Sequence, residues 1–133
     1  MELLKAAGAK RVIKLNVSAP FHCALMKPAQ DRLAIDLAQL EFQVPTVSVV
    51  TNVDAELRHD PADLRDALIR QVSAPVRWLE SMQFLLNNGV DTFVEVGPGK
   101  VLSGLMRQIS RETKMVNVED ATSLVAVTGS AVA

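Results

Sequence analysis

The side chain best suited to acid–base chemistry in this 133-residue sequence is His22, in the run Val17-Ser18-Ala19-Pro20-Phe21-His22-Cys23. Alternating residues end there, Pro20 stiffens the loop, and a helical pattern begins just beyond. Strand ends in open α/β sheets are where ligands bind, and an imidazole in such a place can act as a general base near neutral pH. Position alone equally suits a capping or surface histidine, which is the commoner case. Cys23 could in principle be a nucleophile paired with His22, but neighbours at a helix start point in different directions, so a small buried side chain is the expectation.

Two further segments could carry chemistry. Glu95-Val96-Gly97-Pro98-Gly99-Lys100 looks superficially like a phosphate loop, yet it has neither the G-x-x-x-x-G-K-[ST] spacing nor G-x-G-x-x-G. A sharp strand-to-helix turn that needs positive φ at glycine is the simpler reading, although a helix N-terminus there could attract an anion. Arg70-Gln71-Val72-Ser73-Ala74-Pro75-Val76-Arg77-Trp78 reads as a junction between helices. A helix ending at Gln71 leaves free carbonyls, and these are the one feature able to orient a histidine without a carboxylate. No G-x-S-x-G nucleophile elbow occurs in the sequence, and no Asp or Glu lies beside His22.

Alternation of strand and helix surrounds these segments. Residues 2–8 suggest the end of a helix closed by Gly8, and 11–17 a half-buried strand. Residues 24–40 suggest a helix with Met26, Leu33, Leu37 and Leu40 on one stripe and Pro28 in its first turn. Thr46 to Thr51 suggests a strand buried on both sides, and 52–59 a polar loop. Asp60-Pro61-Ala62-Asp63 is a strong helix start, with Leu64, Leu68 and Val72 facing inward. A helix from Pro75 stops at Gly89. Strands are expected at 92–96 and 114–118, with a helix between them that buries Leu102, Leu105, Met106 and Ile109. Residues 121–133 read as a short helix and loose tail. This is an α/β chain whose mostly parallel sheet is covered by helices on both faces. Its opening on a stub of helix fits a chain that starts inside a domain.

Composition narrows the function classes. Hydrophobic residues are 49%, aromatics only 4% and net charge −1, so the core is aliphatic and there is no electrostatic footprint for nucleic acid. No apolar run reaches the length of a membrane span, and the first residues lack the form of a signal peptide, so a cytoplasmic protein is expected. With Cys23 the sole cysteine, and His22 and His59 the only histidines, neither an internal disulfide nor a structural zinc site is expected. No cofactor is indicated.

Four pieces together resemble the malonyl-CoA:acyl-carrier-protein transacylase family of fatty-acid biosynthesis. They are residues 17–26, Asn52-Val53-Asp54, Arg70-Gln71 with Pro75-Val76-Arg77-Trp78, and Glu95 to Leu102. The resemblance runs from about residue 3 to residue 110. It implies a C-terminal part of an α/β hydrolase-like acyltransferase domain. Residues 1–16 would be the last helix and strand of a ferredoxin-like subdomain, 17–120 the returning part of the large subdomain, and 121–133 a tail. It implies an acyltransferase that moves malonyl from coenzyme A to acyl carrier protein through a serine. His22 matches the family's general base, Gln71 the residue whose backbone carbonyl orients it, and Phe21 a wall of the acyl pocket. The serine, the oxyanion-hole residues and the arginine that pairs with the malonyl carboxylate have no match in this sequence. The chain is therefore expected to be a piece of a longer transacylase, inactive alone; a module that complements a separately encoded N-terminal half is an alternative reading. A non-catalytic module that docks on acyl carrier protein, or the acyltransferase region of a polyketide synthase, are the other readings. A sheet cut in this way is expected to leave apolar faces exposed.

Overall fold

The computed structural model describes residues 1–14, 17 and 19–129. Helix α1 (Glu2–Ala6) is exposed along its length and turns off through Gly8, whose φ of +89° only glycine adopts freely. The strand expected at 11–17 is absent from its described residues, 11–14 and 17, which form no ladder. Leu15, Asn16 and Ser18 lie outside the described residues, as do Ser130 to Ala133 of the expected tail. Alternation marks a segment that could pair, but a strand exists only where a partner supplies the hydrogen bonds.

A 3-10 turn at Ala24–Met26 leads into α2 (Lys27–Ala38), with Pro28 in the first turn, where its missing N–H costs little. The expected strand at 46–51 shortens to β1 (Val49–Thr51), and the expected loop at 52–59 contains β2 (Glu56–Arg58). The two pair antiparallel, Val50 opposite Leu57. Ala55, at φ +58°, makes the turn between them. Polar composition hid this hairpin, because β2 is an edge strand with two of its three residues exposed. Val47, expected inside, is 71% exposed.

Helix α3 (Pro61–Arg70) starts as its sequence dictates: the Asp60 carboxylate accepts from the amides of Ala62 and Asp63. It buries Leu64 and Ala67 and packs on α2 and β1. Helix α4 (Trp78–Asn87) begins three residues after Pro75, because residues 71–77 form an irregular junction rather than a first turn. Strands β3 (Thr92–Val96) and β4 (Lys114–Val118) pair parallel in full register, Thr92 opposite Lys114 and Val96 opposite Val118. Helix α5 (Val101–Ile109) crosses between them. Helix α6 (Ala121–Thr128) is opened by a reciprocal Asp120–Ser123 capping box and closed by Gly129 in the left-handed conformation.

The described strands thus form one parallel and one antiparallel pair, not a single continuous sheet. Among the described residues the buried apolar set is small: Ala55, Leu64, Ala67, Met82 and Met106. On α5 the inward face is Ser103 and Met106, while Leu102 and Leu105 are 44% and 40% exposed. Val96 and Val101, on either side of the glycine turn, are 77% and 73% exposed. An aliphatic composition with so few buried members leaves apolar area facing water, a driving force for association. The 133-residue chain is therefore expected to self-associate. Sedimentation velocity over a concentration series should show the mean sedimentation coefficient rising, whereas a concentration-independent monomer with cooperative unfolding would contradict this.

Candidate active site

His22 sits on the turn between Pro20 and the 3-10 segment, with φ of +56°. A non-glycine residue in the left-handed region stores strain, and such residues cluster at functional sites. The turn also has Phe21 N–H donating to Ala19 carbonyl at 2.9 Å and Cys23 Sγ donating to Pro20 carbonyl at 3.1 Å. Cys23 is therefore occupied locally and half-buried rather than fully buried.

The imidazole points across the molecule to the junction that follows α3. Its Nδ1 lies 3.1 Å from the carbonyl of Gln71 and 3.2 Å from that of Ala74. Two carbonyls cannot donate, so Nδ1 must carry a proton, and in the neutral ring Nε2 then keeps its lone pair. Gln71 is the C-cap of α3, where backbone carbonyls run out of amide partners. The transacylase resemblance matches His22 with Gln71, and the structure brings the two together. Ala74 carbonyl is an addition that side-chain chemistry gives no sign of, since any residue type could supply it.

A cleft of about 370 Å3 opens on this pair, lined by Phe21, His22, Met26, Asn52, Gln71, Val72, Pro75 and Val76. That is within the size range of small-molecule sites. Phe21 forms one wall and is 57% exposed. Among the described residues no cluster of His, Cys, Asp and Glu could hold a metal ion.

The junction itself is pinned from several sides. Arg70, the last residue of α3, makes a bidentate pair with Asp54 in the β1–β2 turn, both N···O distances being 2.8 Å. Arg58 donates to the same carboxylate at 2.8 Å. Ser73 Oγ donates to Gln30 Oε1 on α2 at 2.5 Å, and Gln30 is buried. Arg77 N–H donates to Asn52 carbonyl and its guanidinium to Asp54 carbonyl, each at 2.8 Å. In the sequence Asn52-Val53-Asp54 and Arg70-Gln71 stand as separate motifs. A carboxylate and a guanidinium sixteen positions apart announce no contact until the hairpin folds.

The glycine turn has a different role from His22. Gly97 and Gly99 have φ of +135° and +92°, as the turn requires. The helix N-terminus that could have drawn an external anion is filled from within. Glu95 accepts from the amides of Leu102 and Ser103, the Ser103 hydroxyl and the Asn117 amide, and Glu119 accepts from Gly99 N–H. The Ser103 hydroxyl bond, with help from these amides, lowers the Glu95 pKa. This segment is an internally satisfied turn.

No protein-family profile matches the chain. Individual proteins do. The malonyl CoA-acyl carrier protein transacylase of Salmonella typhimurium is 56% identical over 105 residues, covering 79% of this chain and 34% of that protein. An acyl carrier protein S-malonyltransferase from Vibrio cholerae superposes with a TM-score of 0.86 at 50% identity, over 96% of this chain and 42% of the other. A malonyl-transacylase solved in complex with a type II polyketide-synthase acyl carrier protein gives 0.87 at 44% identity, over 96% and 41%. The fold is that of the C-terminal part of an α/β acyltransferase domain. Within that class, the chain belongs to the malonyl CoA-acyl carrier protein transacylase family. It spans between a third and two fifths of the length of the curated relatives it matches.

Acid should unlock the junction in a defined window. The Arg70 hydrogen bonds, joined by those of Arg58, hold the Asp54 carboxyl at about 2, below its ordinary 3.8. The unfolded chain therefore takes up this proton first. The stabilisation is whole above about pH 4 and is lost as pH falls through about 2. Urea midpoints measured from pH 5 downward should fall more steeply for the wild type than for Asp54→Asn. Glu95 and Asp120, also lowered, contribute to both curves and cancel in the difference.

Proposed function

We propose that this chain supplies the general-base part of a malonyl-CoA:acyl-carrier-protein S-malonyltransferase of fatty-acid biosynthesis, a cytoplasmic lipid-metabolic enzyme. The observation that carries the reading is the Nδ1 of His22 held against two main-chain carbonyls at the mouth of a cleft. That arrangement presents Nε2 as the base, the role an Asp carboxylate secures in Ser-His-Asp triads. Kinship with proteins named as malonyl transacylases supplies the substrate class.

In this mechanism His22 Nε2 takes the proton of a serine hydroxyl as its oxygen attacks the malonyl thioester carbonyl. The imidazolium returns that proton to the sulfur of the departing coenzyme A, leaving a malonyl ester on serine. The phosphopantetheine thiol of acyl carrier protein then gives its proton to Nε2 and attacks the ester. His22 hands the proton back to the serine oxygen, and the acyl group leaves on the carrier. Gln71 keeps the ring in the required tautomer. Phe21 bounds the acyl pocket, where each methylene excluded or admitted is worth about 1–3 kcal/mol of discrimination. No Gly-x-Ser-x-Gly occurs in residues 1–133, and on the plan the transacylase resemblance implies, the nucleophile and the arginine for the malonyl carboxylate come from outside them, in one polypeptide or in a complementing N-terminal half.

Two measurements test this. In the complete enzyme, His22→Ala should cut malonyl transfer by about 10²–10⁴-fold or more, and undiminished transfer would remove the general-base role. A serine-directed fluorophosphonate should not label the 133-residue chain alone, but should label the complete enzyme. Stoichiometric labelling of a serine in this chain would show that the nucleophile lies within it.

A further inference from the structure

The carbonyls of Gln71 and Ala74 can orient an imidazole only if the junction that carries them holds still. An irregular segment has no ladder of its own to fix it, and residues 71–74 are all only half-buried. Its rigidity must come from side chains that reach into it. The strongest of these is the Asp54–Arg70 pair. It is bidentate, so it fixes orientation as well as distance. It is sheltered, the Asp54 side chain being 17% exposed. It joins the residue next to Gln71 in sequence to the hairpin turn, and that turn also receives Arg77 from the far end of the junction.

The geometry of contacts makes this a closed frame. Asp54 binds the start of the junction through Arg70 and its end through its own carbonyl and Arg77. Ser73, between them, is tied to Gln30 on α2, the helix that His22 leads into. A displacement of Arg70 by the reach of one hydrogen bond would carry the Gln71 carbonyl away from Nδ1, because the two share one peptide unit's leverage on the α3 C-terminus.

We propose that Asp54 and Arg70 are positioning residues for His22: their ion pair holds the Gln71 and Ala74 carbonyls where they fix the Nδ1–H tautomer. The inference rests on the general-base reading of His22, and its test separates the two. Long-range proton–nitrogen NMR spectra of the imidazoles report the tautomer directly, in mildly alkaline buffer where imidazoles are neutral. His59, exposed in the hairpin's trailing loop, is the internal reference.

The wild-type 133-residue chain should show His22 mainly as Nδ1–H. Arg70→Gln and Asp54→Asn should each lower the Nδ1–H to Nε2–H ratio about fivefold or more, the worth of one net hydrogen bond. Arg70→Lys, which keeps the charge but not the fork, should fall between them and wild type. Asp66→Asn, which removes the other carboxylate on Arg70 while sparing Asp54, should leave the ratio unchanged. A wild-type chain with Nε2–H dominant overturns the general-base reading and this inference with it. A dominant Nδ1–H form that survives Arg70→Gln in a folded chain overturns the positioning role alone. Should Arg70→Gln fail to fold, Arg70→Lys decides by the same ratio. Unfolding of both would make the pair a fold-stability element and overturn the proposal.

Discussion

A helix cannot satisfy its own last carbonyls, and much in this protein follows from where α3 leaves them. Gln71 caps the helix, and the chain then turns through an irregular junction instead of running straight into α4. The carbonyls that result are acceptors without helical donors. His22 Nδ1 meets two of them, at 3.1 and 3.2 Å. A neutral acceptor pair fixes the ring's tautomer without placing a formal negative charge beside it. The site therefore obtains direction from the backbone and leaves its charged groups to hold the frame.

Holding that frame has a conformational cost. His22 lies in the left-handed region, as does Ala55 in the turn that carries Asp54. Each such residue costs on the order of 1–3 kcal/mol and persists only where its surroundings determine it. Around Ala55 those surroundings are explicit: its amide donates to Thr51 carbonyl at 2.8 Å, its side chain is buried, and the preceding Asp54 is gripped by Arg58 and Arg70. Around His22 they are the Pro20–Cys23 turn on one side and the carbonyl pair on the other. The two strained residues are thus linked through the His22–Gln71 hydrogen bond, the Arg70–Gln71 peptide and the Arg70–Asp54 pair.

Glu95 offers a useful contrast. It too gathers donors at a helix terminus, four of them counting both Ser103 groups, but every one comes from α5 or β4 of its own unit. These four donors are committed within the fold. A glycine turn that looks like a phosphate cradle in sequence is here a device for seating α5 on the parallel strands. The distinction lies in whether the donors are already used, which spacing of residues does not reveal.

Local signals with short range were legible in the sequence. The Asp60 cap, Pro28 in a first turn, the stop at Gly89 and the positive φ at Gly97 and Gly99 each depend on residues a few positions apart, and each stands where the sequence puts it; the spans of β3 and β4 were legible as well, but their ladder joins Thr92 to the distant Lys114. His22 and Gln71 could be matched through the transacylase resemblance, on motif alone. Other features were decided by tertiary structure. Residues 11–14 found no ladder, β2 paired across a turn its polar residues concealed, and Leu102 and Leu105 stayed at the surface. So did the meeting of Asp54 with Arg70, of Ser73 with Gln30 and of Ala74 carbonyl with His22. The physical reason is the same throughout. A cap or a turn is settled by covalent neighbours, whereas a ladder, an ion pair or a backbone acceptor exists only when a distant segment arrives to complete it. His22 is chosen by the sequence, and the direction of its proton is chosen by the fold.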